Sequence, residues 1–335
     1  MNAADDPAAE RADCLVVGAG PAGLTAALYL RRFALRTLLV DAGRPRAALI
    51  PRTRNQPAFP GGISGRSLLK RMRRQVSLHG VEVADGTVLS AEREADGFVA
   101  RFRPAGAEPV LLRSRTLLLA TGIRDHRPAA LPDPLHDRAL RLGHVRYCPI
   151  CDGFEARDRR IAVLGQGAHG MREAIFLRSY SADVFLIPPD GPLELDAAGR
   201  ARLRDAGVTV LDQPVRRFAL RPNGMELLVG DQPLRFDSVY PAMGARIHSD
   251  LAVALGAVDE AVCVPVDDHG RTRVPGLYAA GDVTRGLDQI ATATALAAAA
   301  ATAIRNDLAD RTPLRRPRSL LRTRDDSPGT EPLPV

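Results

Sequence analysis

Two copies of one spacing constrain this chain more than any other feature. Gly18, Gly20 and Gly23 give G-x-G-x-x-G directly after the apolar run 13–17, and Gly165, Gly167 and Gly170 repeat it after the run 160–164. Residues at broadly helical spacing follow each loop, and then a second apolar run, 37–40 in the first copy and 183–187 in the second. In a strand–loop–helix–strand unit the glycines allow a tight turn, close backbone approach to a pyrophosphate and close helix–strand packing. Pro21 suits the first helical turn, where its missing N–H would have gone unpaired anyway. The copies lie 147 residues apart, a distance that fits two nucleotide-binding domains better than a short tandem repeat. The expected class is α/β, with two Rossmann-like three-layer nucleotide-binding domains.

The two units end differently. The first terminates in Asp41, 23 residues after Gly18, where a carboxylate accepts hydrogen bonds from a ribose. The second ends in Ile187, Pro188, Pro189 and Asp190 with no arginine beside it. A 2′-phosphate calls for an arginine at this point and an unphosphorylated ribose for a carboxylate. Asp190 is the only candidate for the latter role.

Between the units, 81–94 and 97–112 read as strands of a small antiparallel sheet, and 117–119 as a separate buried strand before Thr121 and Gly122. Short strands are expected again at 208–211, 216–220 and 225–229. An alanine-rich helix is expected over 289–308, and the last 23 residues, with five prolines, read as a disordered tail.

Of four cysteines, only Cys148 and Cys151 are close, spaced C-x-x-C and followed by Asp152. Such a pair closes a small-loop disulfide, and a neighbouring carboxyl can deliver or take the proton that thiolate chemistry needs. Zinc is the structural alternative. It would need two further ligands, there is no second C-x-x-C, and His136 and His144 stand at irregular spacing. Cys14 and Cys263 read as small buried hydrophobes. No metal is expected.

Charge and composition exclude other classes. The start of the chain lacks the basic and apolar segments of a signal peptide, and 293–304 is too short to span a bilayer; a cytoplasmic protein without membrane attachment is expected. The net charge of +7 is local: 31–74 holds twelve basic residues and one acid. Fourteen aromatics and no tryptophan leave little for base stacking, so no nucleic acid partner is expected. Part of the basic excess is expected to screen the phosphates of a bound dinucleotide and the rest to face outward; Arg66, Lys70, Arg71, Arg73 and Arg74 are expected on a helix from which they would steer an acidic protein partner.

Six segments in order carry a family resemblance: VVGAGPAGL at 16–24, Asn55 with FPGGISG at 59–65, LLLATG at 117–122, CPICDG at 148–153, GQGAHG at 165–170 and GLYAAGDV at 276–283. Together they resemble the low-molecular-weight thioredoxin reductases and their relatives among FAD-dependent pyridine nucleotide–disulfide oxidoreductases. The resemblance implies an FAD-binding domain built from 1–126 and 247–312. An NAD(P)-binding domain, 127–246, is inserted into it and carries the cysteine pair; 313–335 is left as the tail. It implies that Gly18, Gly20, Pro21, Ala22 and Asp41 hold the ADP part of FAD. Asn55, Thr121, Gly122, Gly281 and Asp282 would lie along the cofactor, Gln289 and Ile290 would approach the flavin ring, and Gly165, Gly167 and Gly170 would take NADPH or NADH. Cys151 would face the flavin, Cys148 would exchange with the partner disulfide, and Asp152 would move the proton. The implied activity passes electrons from NAD(P)H through FAD and the cysteine pair to a thioredoxin-like protein or a small disulfide, in a homodimer.

Three positions depart from the reductases: Pro188 and Pro189 with Asp190 replace the basic cluster for the 2′-phosphate, Asp288 replaces an arginine, and 43–50 lacks a glutamine. These leave two alternatives open. One is an oxygen-using dithiol oxidase of the gliotoxin and holomycin type, and the other is a non-catalytic FAD-binding redox sensor.

Overall fold

The computed structural model describes residues 11–309; the expected tail at 313–335 lies outside them. The first half runs β1 (Ala12–Val17), α1 (Pro21–Arg32), β2 (Thr37–Asp41), α2 (Gly65–Leu78), β3 (Val83–Glu94), β4 (Gly97–Pro104), β5 (Val110–Leu119) and β6 (Ile123–Asp125). The middle runs α3 (Asp133–Arg141), α4 (Pro149–Asp152), β7 (Ile161–Gly165), α5 (Gly167–Leu177), β8 (Val184–Ile187), α6 (Ala197–Asp205) and β9 (Thr209–Val210). It is completed by β10 (Val215–Arg221), β11 (Gly224–Val229), β12 (Gln232–Phe236) and β13 (Ser238–Ala242). The last part is β14 (Ala245–Ile247), α7 (Asp250–Ala254), β15 (Leu277–Ala279) and α8 (Ile290–Asp307).

Each glycine loop sits at a point where strand order reverses. β1 lies between β2 and β5, all parallel, and β15 adds on the far side of β5 although it comes last in the chain. In the second sheet β7 lies between β8 and β13, again parallel, with β9 beyond β8. Such switch points open a crevice beyond the carboxyl ends of the strands, where ligands of open α/β sheets bind. The two-stranded antiparallel pair β6–β14 bridges the two units.

The expectation of a separate small antiparallel sheet is corrected. Residues 83–85 of β3 pair with β2 and 86–94 with β4, while β5 pairs with β4 at its start and with β1 and β15 at its end. The meander therefore grows out of the parallel sheet, and 117–119 is the end of one ten-residue strand. Arg113 and Arg115 break the apolar pattern there without breaking the strand. The edge strand β13 had no counterpart in the expected elements: Pro241 lies within it, and an edge is where a strand tolerates proline.

The first core is formed by α1 and α8 packed on the sheet, with Leu24, Ala27 and Leu30 against Ala297, Ala300, Ala301 and Ile304. Alanine at the contact lets the helices approach closely and leaves the N-terminus of α8 beside the first glycine loop. Gly281, two residues after β15, comes so near α1 that an added Cβ would lie 2.8 Å from the Cβ of Ala22.

Candidate active site

The redox-type pair is a disulfide, with Cys148 and Cys151 joined at Sγ–Sγ 2.08 Å. Pro149 opens the single turn α4, which has Cys148 as its N-cap, and the Cys151 N–H donates to the Cys148 Sγ at 3.2 Å. The turn thus brings both sulfurs to one side.

That side meets the start of α8. Gln289 caps the helix, and its Nε2 donates to Cys148 Sγ at 3.3 Å and to Cys151 Sγ at 3.2 Å. Its Oε1 accepts from Asn55 Nδ2 at 3.0 Å, and Asn55 Oδ1 accepts from Thr53 Oγ1 at 2.7 Å. Residues 53, 55, 289, 148 and 151 therefore form one connected chain across the two units. Asn55 and Gln289 are legible in the sequence as candidates; Thr53, which is buried, is not. Ile290 follows as the first, half-buried residue of α8.

Asp152 is caged. Its Oδ2 lies 3.0 Å from Arg146 Nη1, and its Oδ1 accepts from the Tyr240 hydroxyl at 3.0 Å. Burial pushes its pKa above the ordinary carboxylate value, while Arg146 and Tyr240 pull part of the way back. Tyr240 is wholly buried on β13 and its own ionisation is strongly suppressed. Neither Arg146 nor Tyr240 is among the residues singled out from the sequence. Arg146 stands two residues before Cys148, but nothing in its local pattern marks it as the partner of Asp152. Ile150 and Phe154, at 51% and 64% exposure, leave an apolar rim beside the disulfide.

The first glycine loop is built as a cradle. Gly18 has φ +104°, and an added Cβ would come 2.3 Å from Ala120 O, while at Gly23 it would come 1.8 Å from Gly18 O. At Gly20 it would meet nothing within 4 Å, so the floor is packed and the top is open. Pro21 and Ala22 begin α1 at this point, with Gly20 as its N-cap. FAD fits this unit by that observation. Thr121 Oγ1 donates to His248 O at 2.6 Å, and the His248 N–H donates to Gly122 O at 3.0 Å, which ties the end of β5 to the start of α7.

Acidic groups line the same crevice. Asp41 accepts from the Ala19 N–H at 3.1 Å and pairs with Arg73 at 2.6 Å. Asp282 lies 3.3 Å from Arg46, which also grips Asp125 with two bonds of 2.7 and 2.8 Å. Burial and the nearby Asp288 carboxylate push the Asp282 pKa up to about 6, against the pull of Arg46. On the basic helix α2, Arg73 is turned to Asp41. Arg66, Lys70, Arg71 and Arg74 are exposed on α2, with Arg71 over the Phe59 ring.

The other sequence candidates separate. His136 is fully buried, bonded to the Tyr147 hydroxyl and to Asp137 at 2.9 Å each. Among the described residues no group of three or more His, Cys, Asp or Glu converges on one point. Cys14 is buried in β1, where burial pushes its thiol up to about 12, and Cys263 is half-buried. Among the described residues no helix is long and apolar enough to cross a membrane.

The second loop keeps its packing: an added Cβ at Gly170 would lie 2.8 Å from the carbonyl carbon of Gly165. Gly167 opens α5 with φ +51°. The segment after β8 folds against this loop, and Pro188 and Pro189 are buried.

A family model described as pyridine nucleotide-disulphide oxidoreductase matches residues 12–297. The chain belongs to this family. It is 30% identical over 305 residues to the thioredoxin reductase of Listeria innocua, covering 84% of this chain and 89% of that protein. It is 28% identical over 307 residues to the thioredoxin reductase of Aquifex aeolicus, covering 87% and 92%. Among solved structures, HlmI matches with a TM-score of 0.79 and 32% identity over 90% of this chain and 93% of that one. The thioredoxin reductase of Streptococcus pyogenes matches with a TM-score of 0.80 and 25% identity over 90% and 99%. The protein is thus a thioredoxin reductase-like disulfide oxidoreductase with two Rossmann-like units, and FAD and NAD(P)H are the cofactors of its family.

Proposed function

We propose that this protein exchanges electrons between FAD and the Cys148–Cys151 disulfide, and between the resulting dithiol and a thioredoxin-like protein or another disulfide. The observation that carries this reading is the double hydrogen bond from Gln289 to both sulfurs, because Gln289 begins the helix beside the open first cradle. Gly18, Gly20, Pro21, Ala22, Asp41, Asn55, Thr121, Gly122, Gly281, Asp282 and Ile290 would line the bound FAD. FAD, when bound, supplies the two-electron couple; the protein supplies geometry and proton control.

Breaking the S–S bond takes two electrons and leaves two sulfurs to be protonated or held as thiolates. Cys151 is the sulfur facing the cofactor and Cys148 the one that attacks a partner disulfide, forming a mixed disulfide that Cys151 then resolves. Asp152 gives and takes the proton, with Arg146 and Tyr240 fixing its carboxyl group. The apolar rim of Ile150 and Phe154 gives a partner something to bury, and the exposed bases of α2 favour an acidic one. The same reading takes the protein as a cytoplasmic homodimer, without nucleic acid or membrane partners. It also takes 1–126 with 247–312 as the FAD domain and 127–246 as the nucleotide domain.

A second reading is favoured by the prolines at the ribose end of the second loop: a small dithiol gives its electrons to the disulfide, and oxygen accepts them, yielding a disulfide product and hydrogen peroxide. Anaerobic mixing of the FAD-loaded protein with NADPH, NADH and a small dithiol separates the two. Rapid bleaching by a nucleotide supports the reductase. Bleaching by the dithiol alone, with recovery in air, supports the oxidase. Full disulfide turnover in Cys148→Ser and Cys151→Ser would sink both.

A further inference from the structure

In a unit built like β7–α5–β8, a dinucleotide lies across the carboxyl ends of the strands, its pyrophosphate at the helix N-terminus and its ribose at the end of the second strand. Here the chain itself reaches across that bed. Gln166, the N-cap of α5, is extended (φ −125°, ψ 156°) and sends its side chain toward the segment after β8. Its Nε2 donates to Asp190 O at 3.0 Å and to Pro192 O at 3.1 Å, and its Oε1 accepts the Glu194 N–H at 3.0 Å. The Gly167 N–H, which belongs to the glycine loop itself, donates to Glu194 O at 3.1 Å. Four hydrogen bonds therefore tie 190–194 to two consecutive residues of the loop, and Leu193 anchors the same segment in the second unit's core.

The ribose end is equally altered. Pro188 and Pro189 are buried, and a proline has neither an N–H nor a side-chain donor to offer a phosphate. Asp190, the next residue, is exposed and carries the wrong sign for a 2′-phosphate.

We propose that Gln166 is a specificity-determining residue of the second glycine loop: it holds 190–194 as a strap across the nucleotide bed, so that a pyridine nucleotide binds only when the strap lifts, and the form admitted is NADH rather than NADPH. This rests on taking the second unit as the nucleotide site and is independent of the roles given to the cysteines. Every group that pins the strap is a backbone amide or the one carboxamide, so shortening residue 166 removes three of the four hydrogen bonds and leaves the Gly165–Gly170 packing in place.

The test is equilibrium titration, by calorimetry, of oxidised FAD-loaded protein with NADH and with NADPH, for the wild type, Gln166→Gly and Gln166→Ala. Hydrogen exchange at Gly167 and Glu194 is followed in parallel. The expected result is weak binding of NADH by the wild type, at least tenfold tighter binding in either variant, faster exchange at both amides, and NADPH no tighter than NADH throughout. A wild type that prefers NADPH would overturn the proposal. So would variants that retain FAD and the wild-type melting temperature yet bind NADH no more tightly than the wild type does. The cysteine reading fails separately, in dithiol titrations of the serine variants, where no nucleotide is present.

Discussion

The first and second glycine loops share a spacing but not a surface. In both, a glycine at the sixth position lets the helix sit directly on the strand. Above the first loop there is open space at Gly20, and the acid at the end of the second strand, Asp41, faces the loop and bonds to Ala19. Above the second, the side chain of Gln166 and the backbone of Glu194 occupy the corresponding place. The spacing thus reports how a helix packs on a strand; whether a dinucleotide can lie there depends on what the chain does after the next strand.

The largest test of this comparison comes from the glycines themselves. Gly23→Ala forces a Cβ to 1.8 Å from Gly18 O and is expected to cost about 3 kcal/mol or more and to release FAD. Gly170→Ala, whose nearest contact is 2.8 Å, is expected to cost about 1–3 kcal/mol and to retain FAD. Denaturant unfolding and flavin retention after gel filtration measure both; loss of FAD from Gly170→Ala alone would reverse the assignment of the loops.

The next effect asks whether the second unit serves the disulfide. Tyr240 belongs to the second sheet and Asp152 to the cysteine turn, so Asp152→Asn is expected to slow disulfide turnover by about 100-fold. Removing the cation in Arg146→Leu should raise the Asp152 pKa further. The acid form then persists to higher pH, and the pH–rate profile should move upward.

A smaller effect comes from Glu173 on α5, whose Oε1 is buried without a hydrogen-bond partner and whose pKa burial pushes up to about 7. Its folded pKa lies above the unfolded value, so the native state holds the extra proton and stability falls as pH rises from about 4.5 to about 7. Glu173→Gln is expected to gain about 1–3 kcal/mol over the wild type at pH 8 and almost nothing at pH 4.5. Equal pH dependence of the two melting curves would remove Glu173 from the account.

The smallest is Gln289→Ala, which takes away the two side-chain hydrogen bonds to the disulfide and is expected to slow its reduction about tenfold, or about 1.4 kcal/mol, with nucleotide affinity unchanged. Its contrast with Gln166→Ala, which is expected to move nucleotide affinity, separates two N-cap glutamines, one on the glycine-loop helix α5 and one on α8.

What could be read ahead of the structure was local. The glycine loops, the C-x-x-C pair and Asp152 carry their chemistry within a few residues, and the six ordered segments extended that reading to Asn55, Asp282 and Gln289. The rest depends on pairings over long separations: Arg73 with Asp41, Tyr240 with Asp152, and Gln166 with a segment 24 to 28 residues further on. Nothing in the neighbourhood of Arg73 distinguishes it from the other bases of its helix. β13 escaped for a different reason, since Pro241 hides a strand that its apolar neighbours Val239, Tyr240 and Ala242 would otherwise have announced.

The most direct test of the central claim is an anaerobic titration of the FAD-loaded protein with limiting small dithiol, followed by flavin absorbance. The wild type should bleach and take up about two equivalents at full reduction, one for the Cys148–Cys151 disulfide and one for FAD. Cys151→Ser should leave the flavin oxidised. Bleaching of Cys151→Ser at the wild-type rate would contradict an electron path through this disulfide.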